Sequence, residues 1–284
     1  MDQSKSSKDQ ISKIKSHRPI KVISVTSGKG GVGKTQVVAN LALALRQSGK
    51  EVLIFDGDMG LANIDIIYNI NPPYNLQHLL SGQKSIDEVL FTGPDGVKIL
   101  PAASGVKELT QLDESTKSAL MDQLDQLDGR FDVVLIDTAA GISENVMYLN
   151  SSAQAIFVVV TPEPTSITDA YALMKVASTQ YGEKCFHIIT NQCRNEDEGK
   201  LIFKSLLNAT DQFLDSVQLW HLHNLPFDEK VRQSITRQQP MLKFDKDGPL
   251  ARSYRELATK TVKLEVGSAK GGMQFFLKQA LGSR

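Results

Sequence analysis

Cysteine is nearly absent from this chain: two occur in 284 residues, Cys185 and Cys193. So few thiols exclude a disulfide framework and fit a reducing compartment. No C-x-x-C pair exists, which argues against an electron-transfer or cluster-scaffold protein. An excess of charge is also missing. Lys plus Arg and Asp plus Glu number 32 each, so the formal net charge is zero. A strongly basic nucleic-acid binder reads differently, and no direct nucleic-acid contact is expected. No uninterrupted apolar run is long enough to span a bilayer, and the N-terminus lacks a signal-peptide pattern. The expectation is a cytoplasmic protein, associated with a membrane only peripherally. Internal repeats and an interior linker are absent as well. What remains is a chain with 41% hydrophobic residues, enough for one large α/β core with tails.

The decisive stretch is Gly28-Lys29-Gly30-Gly31-Val32-Gly33-Lys34-Thr35, which satisfies G-x-x-x-x-G-K-[ST]. Glycines let the backbone curl so that its N–H groups face phosphate oxygens. Lys34 can reach the β- and γ-phosphates, and the Thr35 hydroxyl can ligate Mg²⁺. The apolar run Lys21–Val25 precedes the loop as a strand. Gln36 to Gln47 follows as a helix that Gly49 stops, placing phosphates at a positive helix end. Gly28-x-Gly30-x-x-Gly33, with Asp56 further on, also satisfies a dinucleotide fingerprint. Lys34 and Thr35 argue against that, because a dinucleotide needs neither a lysine nor a magnesium hydroxyl there.

Apolar runs at Glu51–Phe55, Val97–Leu100, Phe131–Ile136, Ala155–Val160, Phe186–Thr190 and Val217–Leu222 read as strands. Helical spacing occupies 85–90, 115–127, 166–180 and 199–214. This alternation predicts a three-layer, doubly wound, mainly parallel sheet of the P-loop NTPase type. Ligands in such sheets sit beyond the strand C-termini. The loop, Asp58, Asp137 and Asn191 all fall there. Asp137 follows Val133-Val134-Leu135-Ile136, a Walker B pattern whose carboxylate can serve Mg²⁺. Asn191 offers a donor and an acceptor, which suits an adenine edge. Ser166 is a candidate helix cap with Asp169 in the first turn. His221 and His223 share a strand face by period two as a packed or hydrogen-bonded pair, and Trp220, opposite, reads as core.

Lys29, a second lysine inside the loop, gives the chain its resemblance. K-G-G-x-G-K-[ST] is the signature of the deviant Walker A ATPases of the MinD/ParA type. The resemblance covers roughly residues 20 to 260. It implies a Mg²⁺-ATP-dependent homodimer in which Lys29 crosses the interface to the partner's ATP. Asp56-Gly57-Asp58-Met59-Gly60-Leu61-Ala62-Asn63-Ile64-Asp65 is similar to the family's D-x-D-x-G-L-x-N-x-D. By that likeness Asp58 orients the attacking water and Asp56 supports the magnesium shell, with Thr35 and Asp137 as the metal residues. Asn63 and Asp65 shape the switch or the dimer face. Gly141 in Thr138-Ala139-Ala140-Gly141 becomes a switch whose amide senses the γ-phosphate. Asn191 reads adenine, and Leu225-Pro226-Phe227-Asp228 resembles a loop near the base. The nucleotide set is therefore Gly28 through Gln36 with Asn191, Pro226 and Asp228, and the catalytic set is Asp58, Lys29 and Lys34.

Within that family, Glu163-Pro164-Thr165-Ser166-Ile167-Thr168-Asp169-Ala170-Tyr171-Ala172-Leu173-Met174-Lys175, Pro101–Gly105 and Thr138–Ile142 resemble the flagellar-number regulators more than the division-site branch. That branch implies control of flagellar number or placement at the inner membrane face. Its implied partners are the signal-recognition-type GTPase FlhF, the flagellar C-ring switch protein and the master transcription regulator FleQ. A division-site regulator or a DNA-partition ATPase is the alternative. Residues 1–19 read as a flexible arm, or as a short partner helix similar to the family's D-Q-A-x-x-L-R segment. Residues 20–264 form the ATPase domain. In 265–284, Met273, Phe276, Leu277, Ala280 and Leu281 follow helical spacing beside Lys270, Lys278 and Arg284. That is an amphipathic helix for an anionic membrane surface, or one docked on the protein's own core.

Overall fold

The computed structural model describes residues 20–58, 63–101, 123, 127, 129–214 and 216–266. The expected arm at 1–19, the helix over 115–127 apart from two residues, and the C-terminal helix with Met273, Phe276, Leu277 and Leu281 lie outside them.

A β-strand needs partners for its backbone, and the apolar runs find them side by side. The strands are β1 (Lys21–Thr26), β2 (Val52–Gly57), β3 (Phe91–Thr92), β4 (Lys98–Leu100), β5 (Val133–Thr138), β6 (Ala155–Val160), β7 (Cys185–Cys193) and β8 (Gln218–Pro226). They form one sheet in the order β3-β4-β2-β5-β1-β6-β7-β8. All pairs are parallel except β3 with β4. The two-residue β3 was not visible in the sequence. β5 and β6 flank β1 although they follow it by more than a hundred residues, so the chain reverses its winding there.

Helices cover both faces. They are α1 (Lys34–Gln47), α2 (Ile64–Tyr68), α3 (Leu76–Leu80), α4 (Ile86–Val89), α5 (Glu144–Ser152), α6 (Pro164–Tyr181), α7 (Glu196–Phe213), α8 (Lys230–Thr236), α9 (Met241–Phe244) and α10 (Pro249–Lys263). Successive strand residues point to opposite faces. Ile23, Val25, Val133, Leu135 and Phe157 therefore pack with α1 and α10 in one apolar cluster. Val22, Val134 and Ile136 pack with α3 and α4 on the other side. Ile156, Val158 and Ile188 continue that second face under α5, α6 and α7. Lys21, at the foot of β1, donates from Nζ to the carbonyls of Thr261, Val262 and Leu264 (2.6 Å for the last), closing the end of α10.

Three local expectations are overturned. Ser166 does not cap α6: Pro164 occupies the first turn, where its missing N–H costs nothing, and Ser166 Oγ instead accepts from the Thr161 N–H at 3.0 Å. His221 and His223 do not share a face. Ile188 pairs with His221 while Ile189 pairs with His223, so Leu222 is an extra residue that breaks the period of two. His221 stacks on Phe203 of α7, and His223 meets Ser253 of α10 at 2.8 Å. Trp220 is not core; it stands 56% exposed on the edge strand β8.

Candidate functional site

The phosphate loop runs from β1 into α1. Gly31 and Gly33 take φ values of +80° and +91°, a region that side chains disfavour. Gly28 has a different need: a Cβ there would lie 2.1 Å from the Asp169 carbonyl oxygen, so the loop backbone rests directly against α6. Ser27 Oγ donates to the Lys29 carbonyl at 2.8 Å, bracing the turn. Lys34 is buried at the start of α1, whose first turn contains no acid.

The acids sit on neighbouring strands. Asp56 and Asp137 are register partners on β2 and β5. Both are buried, and burial raises both carboxyls. Asp56 is pushed up to about 8 by burial first, then by Asp137, with the Asp58 N–H pulling the other way. Asp137 is pushed up to about 6; burial outweighs Lys34 and the nearby Thr35 hydroxyl, which favour its charged form. Neither Asp137 oxygen has a well-formed hydrogen bond. Two orphaned carboxylate oxygens beside a threonine hydroxyl and a lysine are a hard oxygen donor set, and it fits Mg²⁺. Among the described residues no group of three or more His, Cys, Asp or Glu is arranged to hold a metal. Asp58 lies just past β2, half-buried, its N–H turned to Asp56 Oδ1 at 3.3 Å. The Gly141 N–H, expected to meet a phosphate, donates to the Ser27 carbonyl at 2.9 Å, so this loop touches the phosphate loop directly.

Lys29 is held within its own chain. Its Nζ contacts the Glu163 carboxylate and lies 3.0 Å from Thr165 Oγ1. In the sequence, Lys29 points only to a partner, and Glu163 and Thr165 stand out only by their likeness to relatives.

Beside the loop opens a cleft of about 760 Å³. Gly33, Gln36, Asn191, Pro226, Phe227 and Asp228 line it, and so do Ile235 and Tyr254, which carry no motif in the sequence. The apolar lining offers a face for a flat base. Asn191 is not free to face that cleft with its whole amide: Nδ2 donates to the Val32 carbonyl at 2.8 Å. Asp228 Oδ1 accepts from the Lys230 N–H at 2.9 Å.

A glycine loop between strand and helix, a buried lysine, a threonine and a buried acid on the adjacent strand define a P-loop NTPase. The family model for ParA, described as NUBPL iron-transfer P-loop NTPase, matches residues 19–262. The chain belongs to the ParA/MinD family of P-loop ATPases, whose members use ATP and Mg²⁺. It is 38% identical to the antiactivator FleN of Pseudomonas aeruginosa over 93% of this chain and 94% of that one. It is 30% identical to the flagellum site-determining protein YlxH of Helicobacter pylori, over 92% of this chain and 90% of the relative. Its fold is similar to the septum site-determining protein MinD of Pyrococcus horikoshii, solved in complex with Mg-ADP. The TM-score is 0.66 at 26% identity, covering 85% of this chain and 96% of that one. The expected family and the doubly wound sheet are both borne out.

Proposed function

We propose that this chain is an ATP-dependent dimerising switch that sets flagellar number or placement. The observation that carries it is the 38% identity to FleN along nearly the whole length of both chains. The Glu163–Lys175 segment, whose likeness is to flagellar regulators, also packs on the phosphate loop through Gly28 and Lys29.

In this reading the N–H groups of residues 28–36 and the Lys34 ammonium hold the triphosphate. Thr35, Asp137 and the supporting Asp56 would hold Mg²⁺, which neutralises charge building on the β- and γ-phosphates. Asp58 orients the water for in-line attack; such a transfer needs a well-placed acceptor more than a strong base. Gln36, Asn191, Pro226 and Asp228 flank the nucleoside. Gly141 exchanges its Ser27 contact for the γ-phosphate. Lys29 leaves Glu163 for the nucleotide of the second protomer, and hydrolysis reverses the clasp. The chain divides into an arm at 1–19, the ATPase domain at 20–264 and a C-terminal helix at 265–284. FlhF, the C-ring switch protein, FleQ and the anionic inner face of the membrane are the partners this reading assigns, with the pole as the site of action.

Size-exclusion chromatography with Mg-ATP tests it. Asp58→Ala retains ATP and elutes as a dimer, while Lys34→Ala binds no nucleotide and stays monomeric. A monomeric Asp58→Ala protein saturated with ATP would refute the switch. A deletion strain with an unchanged flagellar count would refute the flagellar assignment alone.

A further inference from the structure

One side chain joins the wall of the cleft to the phosphate loop. Asn191 is 7% exposed, and its Nδ2 donates to the Val32 carbonyl at 2.8 Å. A carbonyl only accepts, so this contact fixes which end of the amide is nitrogen. The loop is shaped to receive it. A Cβ at Gly33 would stand 2.7 Å from that same nitrogen, so residue 33 must lack a side chain for the approach as well as for its φ of +91°.

The strand is shaped to deliver it. Thr190 pairs with Asn224 and Cys193 with Pro226, so Asn191 and Gln192 together oppose one residue, Leu225. This bulge re-aims the side chains at the end of β7. Gln192 takes a left-handed φ of +61°, a conformation that costs a non-glycine residue free energy and persists where its surroundings enforce it. Beyond the bulge the Phe227 N–H donates to the Cys193 carbonyl at 2.8 Å and pins the strand end. A bulge, a strained residue and a glycine thus converge on one hydrogen bond made only of protein atoms.

Its consequence follows from the planar trans peptide. The Val32 carbonyl and the Gly33 N–H point opposite ways, so holding one on Asn191 fixes the direction of the other. We infer that Asn191 is a positioning residue for the phosphate loop, orienting the Val32–Gly33 peptide for a polyphosphate whether or not a base enters the cleft. This rests on the ATP-binding reading above. It also narrows what Asn191 can read on a base. With one N–H of Nδ2 committed to the loop, its second N–H and Oδ1 remain for a base edge.

Inorganic tripolyphosphate separates the two roles, because it has phosphates and no base. Calorimetric titrations with Mg²⁺ present would compare the full wild-type chain with Asn191→Ala, at a temperature where melting curves show both folded. Loss of one buried hydrogen bond weakens binding by about five- to tenfold. The expected result is that tripolyphosphate and ATP both lose affinity by that factor. Weakened ATP binding with unchanged tripolyphosphate binding overturns the proposal and leaves Asn191 a reader of the base alone. A wild type that binds Mg-ATP but not tripolyphosphate overturns it as well, whereas one that binds neither refutes the ATP reading itself. Should Asn191→Ala not fold, Asn191→Ser, whose hydroxyl is too short for the Val32 carbonyl, gives the same comparison.

Discussion

His223 gives the sharpest handle on stability, because its neutrality is enforced from several directions. The ring is buried between β8 and α10, with Nε2 2.8 Å from Ser253 Oγ. Burial first, then the Lys260 ammonium, push its pKa down to about 4, against the hydrogen bond with Ser253 and the charge of Glu196; His221 adds to the downward push. Lys260 is fixed in place by donating to the Leu222 carbonyl at 2.8 Å. An exposed histidine in the unfolded chain titrates near 6.5. The unfolded state therefore binds the proton first as pH falls. The stability that neutral His223 confers is fully present above about 6.5 and drains away toward about 4. At ~1.4 kcal/mol per pH unit that gap corresponds to ~3 kcal/mol, of which about 2 kcal/mol is lost by pH 5. Asp56 and Asp137 act in the opposite sense. Their raised carboxyls take up protons in the folded state first, so acid stabilises them. The wild-type profile alone mixes these contributions, and the informative quantity is a difference. Urea denaturation of wild type and His223→Gln between pH 7.5 and pH 5 is the assay. The stability gap should shift by about 2 kcal/mol in favour of the glutamine variant as the pH falls. A gap that stays flat would show that His223 does not carry the proton linkage.

Gly199→Ala sets two effects against each other. Alanine favours a helix by up to ~1 kcal/mol over glycine, but its Cβ would lie 2.4 Å from Asn224 Oδ1 and 2.8 Å from Thr190 Oγ1. Those two atoms are bonded to each other at 3.0 Å beneath α7, so neither side chain can swing away freely. Overpacking wins, and urea denaturation should show a net loss of ~1–3 kcal/mol; a stabilised variant would mean that α7 lifts without cost. Lys21→Met removes the cation that closes α10. Stability should fall by ~1–2 kcal/mol, with faster amide exchange in the last turn of α10. Unchanged exchange there would show that the helix end needs no such closure.

The phosphate loop and the sheet were legible because each is written in local chemistry: a fixed run of glycines with Lys34 and Thr35, and runs of β-branched residues between polar breaks. α10 was legible in principle, since Leu250, Tyr254, Leu257, Ala258 and Thr261 follow helical spacing and are all buried, yet no charge or motif drew notice to it. Other features had no local signal. The two-against-one pairing near Leu222 depends on β7, which no reading of β8 alone contains. Trp220 is exposed on β8, beside which no further strand lies among the described residues. The amide of Asn191 suits a base edge, a role its residue type makes legible, whereas its bond to Val32 spans 159 residues of sequence.

The same lesson applies at Lys29, where it bears on how the site is built. Glu163 and Thr165 were notable in the sequence only as a likeness to relatives, and their physical meaning is that they stand at the start of α6 and hold the second lysine of the loop. Asp169 lies four residues beyond Thr165, one turn further along the same helix face, and its carbonyl is the atom that forbids a side chain at Gly28. A lysine, a hydroxyl and a bare glycine thus bind one helix face to one loop. The exposed ion pair is worth little by itself, ~0–1 kcal/mol, so Lys29 can be released without unfolding anything. The Gly28 contact is different in kind. It is backbone against backbone with no side chain to yield, so the loop cannot move toward α6 there without displacing it. The segment whose sequence resembles flagellar regulators is therefore mechanically tied to the phosphate loop.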